Sequence, residues 1–272
     1  MGKAYRIKIQ PMGNLPANEA KSNLKKSVGY KKVTRGCATK PRCAVVAGGP
    51  GIKKQLNELR KYAGTIYAVN DTAGYLSDNG IPCYLYSIDG TKVPFHIGPL
   101  VKGAFLATRC NPIQFKPFKK KDIRVFEMRE DYIKNGIEGG PTGVCRAPHL
   151  FIAMGHMGID FYGIEGSFFE QSHVGSDRKD ARDNMIVIRA GGIDYLTNAA
   201  FMIQNEFMTQ IFKEYPKIYK NHSGGLLRAM MKHSKTWGVV AITKGLKDQF
   251  VKQNVKGWNT AYKFNEVPLC LK

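Results

Sequence analysis

A short glycine-rich turn is the first feature of this chain that could bind a ligand. In the segment CAVVAGGPGIKKQL, an apolar run over residues 43–47 is followed at once by Gly48, Gly49 and Gly51, and then by a predicted helix. Backbone N–H groups at the start of a helix can surround a phosphate where glycine lets it approach. The spacing matches neither the dinucleotide-binding nor the P-loop pattern, and a tight turn between strand and helix accounts for it equally well. The turn alone leaves both interpretations open.

Polar side chains also follow the next two apolar runs. Asn70 ends the apolar run of the segment TIYAVND, and Asp89 follows that of the segment YLYSIDG. Ligands of open parallel sheets lie beyond the carboxyl ends of the strands, so these residues and the glycine turn are predicted to face one crevice. Asn and Asp also cap turns locally, which is the alternative use of both residues.

The segments around these residues alternate between apolar runs and amphipathic stretches, which is typical of βαβ units in a parallel sheet. The pattern predicts a Rossmann-like α/β domain over residues 42–243, mostly parallel and with helices on both faces. A basic arm over 1–41 and a basic helix and tail over 244–272 would flank it. Strands are predicted at 43–47, 65–69, 83–88, 104–108, 123–128, 158–163, 185–189, 217–221 and 237–242, and the longest helix at 195–215.

The order of these motifs resembles a known family. The segments GGPG, VND, SIDG, GGPTGVCRAPHLFIAMGHMG and DFYGIEGSFF are followed by SH and later by NHSGG. Over about residues 43–230 they are similar to the domain shared by MptE-like hydroxymethylpterin pyrophosphokinases and bacterial motility accessory factors. They also resemble the related bacterial sialyltransferases, which use CMP-sialic acid. The resemblance implies a nucleotide-binding transferase.

The resemblance also implies roles for individual residues on the strand ends. Asn70 and Asp89 would hold the ribose or the base of the donor. The donor phosphates would lie against Gly48, Gly49 and Gly51.

The later motifs supply the expected phosphate contact and the expected base. Thr142 and Gly143, at the head of a predicted helix, would bind the phosphate of the leaving nucleotide, which the helix dipole also favours. His173 matches a histidine of such enzymes and could take the proton from an acceptor hydroxyl. Glu165 stands where the sialyltransferase-like pattern has Asp. After His173, Glu165 and Asp89 are the further candidates for the catalytic role.

Three functions are open at this stage. The favoured one is transfer of a sugar from a nucleotide-linked donor, CMP- or UDP-linked. The alternatives are an ATP-dependent pyrophosphokinase of a hydroxymethyl heterocycle, which would need Mg²⁺, and a non-catalytic protein that binds nucleotide or nucleic acid. Cys37 and Cys43 lack the spacing of zinc ligands, so no metal site is predicted.

The net charge of +21 is concentrated at the two ends of the chain. Residues 1–42 carry +10, residues 43–212 carry +2 and residues 213–272 carry +9. Basic ends around a near-neutral centre predict a nucleic-acid partner, DNA rather than RNA, such as a hydroxymethylated base of modified viral DNA that is flipped into the site. The alternative is a solvating or membrane-surface charge, and solvation also accounts for the run KPFKKK at 116–121. The phosphate contacts are assigned to Lys25, Lys26, Lys31, Lys32, Lys244, Lys247, Lys252 and Lys256.

Cysteine use and hydropathy bear on the compartment. The six cysteines include no CxxC pair, and the segment MGKAYRIKIQ lacks the apolar core of a secretory signal. The apolar runs are far shorter than the roughly 20 residues of a membrane span. We therefore expect a cytoplasmic protein with reduced thiols and no membrane insertion.

Overall fold

The computed structural model describes residues 15–128, 136–168, 185–234 and 236–242, and the backbone of 262–263. The strands are β1 (Lys31–Lys32), β2 (Arg42–Val46), β3 (Thr65–Val69), β4 (Cys83–Ser87), β5 (Val101–Ala107), β6 (Ile123–Phe126), β7 (Gly158–Tyr162), β8 (Met185–Ala190), β9 (Ile193–Asn198), β10 (Tyr219–Asn221), β11 (Gly238–Ile242) and β12 (Tyr262–Lys263). The α-helices are α1 (Ala17–Lys26), α2 (Leu56–Arg60), α3 (Thr72–Asp78), α4 (Gly143–Ala153), α5 (Ala199–Glu214) and α6 (Gly225–Lys232). Within these helices, none combines the length and the hydropathy that a membrane crossing requires.

Eight parallel strands form the main sheet, in the order β1-β6-β5-β4-β3-β2-β7-β10. All five residues of β7 are buried, as are the last four of β2. Because successive side chains of a strand point to opposite faces, this burial means that both faces of the sheet are covered. The predicted Rossmann-like α/β fold class is confirmed.

The strand order reverses between β2 and β7. From β2 the chain moves outward through β3, β4, β5 and β6, whereas β7 lies on the other side of β2 and pairs with it from Arg42 with Gly158 to Val46 with Tyr162. The helical connections after β2 and before β7 therefore run in opposite directions across the sheet. Such a reversal is where open α/β sheets bind their ligands.

A second sheet is antiparallel and has its own core. Its order is β12-β11-β8-β9, and α5 and α6 contribute Met202, Leu226 and Met230 to its apolar cluster. The predicted strands at 185–189 and 237–242 therefore exist, but they do not extend the parallel sheet. The predicted helix at 195–215 is wrong at its start, because residues up to Asn198 belong to β9 and the Asn198 side chain caps α5 by accepting from the Phe201 amide at 2.9 Å.

The N-terminal part of the chain adds to the main sheet. β1 pairs with β6, Lys31 opposite Arg124, and forms the edge of the sheet. Helix α1 is held by Asn23, whose amide nitrogen donates to the carbonyls of Gly90 at 3.3 Å and Arg109 at 3.0 Å. Helix α1 and strand β1 therefore contact the sheet, while the predicted domain start at residue 42 stays a prediction.

Candidate nucleotide-binding site

The loops after β2 and β7 are joined at the point where the sheet reverses. The amide of Ala47 donates to the carbonyl of Tyr162 at 2.9 Å, and the amide of Gly49 donates to that of Gly163 at 2.8 Å. Gly163 has a φ of 64°, a left-handed conformation that glycine adopts without strain. The predicted glycine turn thus lies at the switch point, directly against the segment that leads to Glu165.

The carboxylate of Glu165 fills the inside of the glycine turn. A β-carbon on Gly49 or Gly51 would overlap this carboxylate, and one on Gly225 would come within 2.6 Å of its β-carbon. These glycines therefore make room for Glu165, which takes the space predicted for a donor phosphate. The expected contact of a donor phosphate with Gly49 and Gly51 stays a prediction, and in this arrangement the carboxylate of Glu165 lies beside them. Gly48 is buried at the end of β2.

Glu165 is buried and its charge is not paired. The residue is 4% exposed, and neither carboxylate oxygen completes a hydrogen bond with a described group. Burial raises the pKa of Glu165. The backbone N–H groups of Glu165 itself, Gly51 and Gly224 lie near the carboxylate and act to lower that pKa, but burial has the larger effect. Among the described residues, no group of three or more His, Cys, Asp or Glu side chains could hold a metal ion.

Asn70 occupies the end of β3 in an unusual backbone conformation. Its φ is 52°, and among the described residues no other non-glycine has a positive φ. The amide of Asn70 donates to the Tyr86 carbonyl at 3.1 Å, and its carbonyl accepts from Ala73 at 3.1 Å, so the backbone is fixed on both sides. The side-chain Oδ1 is buried and has no hydrogen-bond partner among the described residues. The predicted site residue therefore has an unused acceptor.

The N-terminus of α4 lies beside the ends of β3 and β4. The hydroxyl of Tyr86 donates to the carbonyl of Gly143 at 3.0 Å, and a β-carbon on Gly143 would lie 3.6 Å from Cγ1 of Val69. Since Asn70 directly follows Val69, the first turn of α4 and Asn70 are neighbours. The contact of a nucleotide with Asn70, Thr142 or Gly143 stays a prediction.

Helix α5 ties the two halves of the site together. Thr142 caps α4 by accepting from the Cys145 amide at 3.4 Å and donates its hydroxyl to Oε1 of Gln204 at 2.8 Å. The next residue, Asn205, donates to the carbonyl of Gly166 at 3.1 Å. Adjacent residues of α5 therefore hold the start of α4 and the segment after Glu165. The sequence pattern predicted a helix here, but it gave no signal for the roles of these two amides.

Asp89 is engaged in a local turn. Its Oδ1 accepts from the amide of Thr91 at 2.9 Å and from the Thr91 hydroxyl at 2.6 Å, and its backbone carbonyl accepts from Gln114 at 2.8 Å. These contacts match the turn-capping alternative for this residue. A nucleotide contact or a catalytic role of Asp89 stays a prediction.

The predicted base His173 lies outside the described residues, as do Lys244, Lys247, Lys252 and Lys256. None of these assignments is tested by the structure.

A charged network along α2 was not expected from the sequence. Asp160, which is 5% exposed, accepts from Arg42 at 3.0 Å and from the Tyr62 hydroxyl at 2.8 Å. The two ring nitrogens of His222 lie 3.1 Å from Asp160 and 3.2 Å from Glu58. Burial acts to raise the pKa of Asp160, but hydrogen bonds from His222, Tyr62 and Arg42 outweigh it and lower the pKa to about 2.

This network does not supply a general base. Both nitrogens of His222 are held by carboxylates, and the ring stacks on Tyr162 with centroids 4.3 Å apart. A base must have a free nitrogen that faces the acceptor. The network is therefore best described as an anchor between β7, β10 and α2.

Lysines from two separate segments lie side by side at the β1 edge. Nζ of Lys120 lies 5.7 Å from the ring centroid of Tyr30. It also lies 3.4 Å from the position that a β-carbon on Gly29 would occupy. The lysine-rich run at 116–121 therefore borders the segment that follows α1. Lys32 pairs with Glu127 at 2.7 Å. We call this surface the basic edge; its exposed members are Lys25, Lys26, Lys31, Lys32, Lys116, Lys119, Lys120 and Lys121.

No family model matches the chain, and no curated protein matches it in sequence. The fold is similar to the solved structure of the MAf glycosyltransferase from Magnetospirillum magneticum AMB-1, with a TM-score of 0.54 and 16% sequence identity. The match covers 76% of this chain and 36% of the other, so this chain spans about a third of the length of that protein. The likeness is one of fold. At that level it agrees with the resemblance to motility accessory factors.

Proposed function

We propose that this chain is a transferase that binds a nucleotide-activated donor in the crevice beyond β2, β3 and β7. Asn70 carries the proposal. Asn adopts a left-handed backbone more readily than other non-glycine residues, and Oδ1 of Asn70 is buried without a partner among the described residues. An unsatisfied buried acceptor beside a helix N-terminus, at the carboxyl end of a parallel strand, is the arrangement expected of a ligand contact.

The donor phosphate is proposed to lie at the N-terminus of α4. The hydroxyl of Thr142 is already bonded to Cys145 and Gln204, so the backbone N–H groups that open the helix at Gly143 are the available donors. The ribose or the base would then contact Oδ1 of Asn70. This orientation avoids the glycine turn, which Glu165 fills.

The proposed reaction is transfer of a sugar to an alcohol. The acceptor oxygen forms a bond to the anomeric carbon, and the bond from that carbon to the donor phosphate breaks, leaving its electron pair on the phosphate oxygen. The positive end of α4 stabilises the charge that develops on this phosphate. The acceptor proton passes to a base, for which His173 stays our proposal.

The name of the solved relative, a glycosyltransferase, favours sugar transfer over pyrophosphoryl transfer from ATP. A CMP- or UDP-linked sugar is the proposed donor. Pyrophosphoryl transfer with Mg²⁺ is the second candidate, and it differs in needing the metal ion.

A nucleic acid, DNA before RNA, is the proposed acceptor because the exposed lysines of the basic edge offer contacts to a polyanion. Residues 116–121 precede β6 and Lys25 and Lys26 precede β1, so most of these lysines lie toward the amino ends of the parallel strands. Asn23 fixes α1 to the carbonyl of Gly90 at the end of β4, so a strand of nucleic acid bound along α1 would extend from the basic edge toward the carboxyl ends. The nucleotide that reacts would have to be flipped out or single-stranded.

A binding screen followed by a product assay tests the proposal. Thermal unfolding of the full chain is measured with nucleoside mono-, di- and triphosphates and with CMP- and UDP-sugars, with and without Mg²⁺. A ligand at 100 times its Kd stabilises the fold by about 2.7 kcal/mol. The stabilising donor is then incubated with oligonucleotides that contain a hydroxymethylated pyrimidine, and the mass of the oligonucleotide is measured.

We expect stabilisation of the wild-type chain, about half as much in Asn70→Gly because a tenfold loss of affinity removes about 1.4 kcal/mol, and an oligonucleotide heavier by one sugar. ATP consumption that requires Mg²⁺ and a small hydroxymethyl heterocycle would support the pyrophosphokinase instead. Stabilisation by none of the nucleotides would contradict both.

A further inference from the structure

The chain itself supplies an anion to the position in the glycine turn where a phosphate would bind. The Glu165 carboxylate touches Gly49 and Gly51, and its stem lies against Gly225. The N–H groups of Gly51 and Gly224 face it, one from the 3-10 turn Pro50–Gln55 and one from the start of α6. Two helical starts thus converge on this carboxylate.

Packing alone does not explain a carboxylate at this position. Glu165 is 4% exposed, neither of its oxygens completes a hydrogen bond, and no described cation pairs with it. The N–H groups of Gly51 and Gly224 offset part of the cost of burying this carboxylate, but no described cation neutralises it, and an apolar side chain of similar size would fill the same space without that cost. The charge of Glu165 therefore points to a role toward a ligand.

The glycine turn lies next to the proposed phosphate position. β2 and β3 are paired neighbours, with Val46 opposite Ala68, and adjacent strands are about 4.8 Å apart. A donor whose first phosphate lies at the N-terminus of α4, over the end of β3, would direct a second phosphate toward the end of β2. There it would meet the carboxylate of Glu165.

We propose that Glu165 is a specificity-determining residue that keeps the glycine turn filled, so that the crevice selects a nucleotide with one phosphate over a nucleotide with two or three. The inference rests on the proposed function, since it presupposes that a nucleotide binds in this crevice. Like charges brought together in a buried site oppose binding strongly, and this repulsion is the source of the selectivity.

Three variants separate charge from shape. Glu165→Gln keeps the size of the side chain and removes its charge. Glu165→Asp keeps the charge but withdraws it from Gly49 and Gly51 by one methylene. Glu214→Gln, at the exposed end of α5, is the matched control for the loss of one carboxylate.

The measurement is the Kd of each protein for CMP, CDP and CTP and for UMP, UDP and UTP, by calorimetry at pH 7.5, first without and then with Mg²⁺. In the wild-type chain and in Glu214→Gln we expect the monophosphate to bind at least about tenfold more tightly than the di- and triphosphates. Glu165→Gln should remove this difference, and Glu165→Asp should reduce it.

The outcomes distinguish the inference from the proposed function. Equal affinity of the wild-type chain for mono- and diphosphates, or an unchanged ratio in Glu165→Gln, would overturn the role of Glu165 and leave the donor site intact. If Mg²⁺ abolishes the selectivity of the wild-type chain, Glu165 is a ligand of a phosphate-bound metal and the inference fails. If Glu165→Gln does not fold, the ratio in Glu165→Asp decides. Binding of none of the six nucleotides would remove the proposed function, and this inference with it.

Discussion

The hydroxyl of Thr142 donates a 2.8 Å hydrogen bond to Oε1 of Gln204, and this bond fixes the start of α4 to the middle of α5. Gln204 is 3% exposed, so water does not compete for the contact. The neighbouring amide of Asn205 holds the carbonyl of Gly166 on the other side of the crevice. The orientation of the proposed phosphate position therefore depends on two adjacent residues that lie far from it in sequence.

Gln204→Leu should loosen this connection. The hydroxyl of Thr142 would lose its oxygen acceptor and keep only the weaker acceptor Sγ of Cys145 at 3.3 Å, which costs about 1 kcal/mol in the free energy of unfolding. Nucleotide affinity should fall as well, because the first turn of α4 is no longer held. Denaturant unfolding and calorimetry measure the two effects. Gln210→Ala, which removes only the bond with Glu214 on the same helix, is the control, and equal effects of both substitutions would argue against a specific role of Gln204.

The conformation of Asn70 allows its side chain and backbone to be tested separately. Asn70→Gly keeps the left-handed φ of 52° at no steric cost and removes Oδ1. We expect its stability to match the wild type within about 1 kcal/mol, while nucleotide affinity falls about tenfold through loss of one hydrogen bond. Asn70→Ala should lose a similar amount of affinity and in addition about 1 kcal/mol of stability. Unchanged affinity in Asn70→Gly would exclude the side chain as a nucleotide contact.

Strands β2 to β7 of the main sheet could be predicted because each contains a short apolar run close to a polar or glycine turn. The run that ends at Val69 shows this pattern, and Asn70 was correctly expected at its carboxyl end. β1 was not predicted, because it consists of the two lysines Lys31–Lys32. The second sheet was missed although a local signal was present. Gly191 and Gly192, with φ of 60° and 82°, form the two-residue turn of the hairpin between β8 and β9, where a Gly-Gly pair is favoured.

Other parts of the site could not be predicted from sequence patterns. Glu165 and Gly49 are 116 positions apart, and only the parallel pairing of β2 with β7 brings them together. The network of Asp160, His222 and Glu58 likewise joins three elements that no motif connects. Such contacts depend on strand order, which single-sequence periodicity does not encode.

The depressed pKa of Asp160 predicts a specific dependence of stability on pH. Its pKa is about 2 in the folded chain against an ordinary value of 3.8, so the carboxylate stabilises the fold above about pH 4. This contribution, about 2 kcal/mol, should disappear as the pH falls through 2. Asp160→Asn should lower the free energy of unfolding at pH 7 and remove this part of the slope. Denaturant unfolding between pH 7 and pH 2 measures both effects. If the stability of Asp160→Asn falls with pH as steeply as that of the Glu214→Gln control, the pH dependence does not come from Asp160.

The basic edge predicts a binding that weakens steeply with salt. Each lysine that contacts a duplex phosphate releases counterions and adds about 0.9 to the slope of log K against log salt. Two variants test the two parts of this surface separately. One replaces Lys25, Lys26 and Lys31, in and after α1, by Gln. The other replaces Lys119, Lys120 and Lys121, before β6, by Gln. The control replaces three exposed lysines by Gln: Lys213 on α5, Lys217 in the turn that follows, and Lys220 on β10.

Affinity for single-stranded and duplex DNA and for RNA is measured at several salt concentrations. Each triple on the basic edge should reduce the duplex slope by up to about 2.7, and the control should leave it unchanged. An equal loss in all three variants would mean that only net charge matters. Binding to vesicles of anionic lipid but not to nucleic acid would assign the basic edge to a membrane surface. Such binding would be mainly electrostatic, because the exposed apolar residue beside the lysines, Val28, is too small to insert deeply. Without any polyanion binding near physiological salt, the acceptor would have to be a small molecule or a glycan.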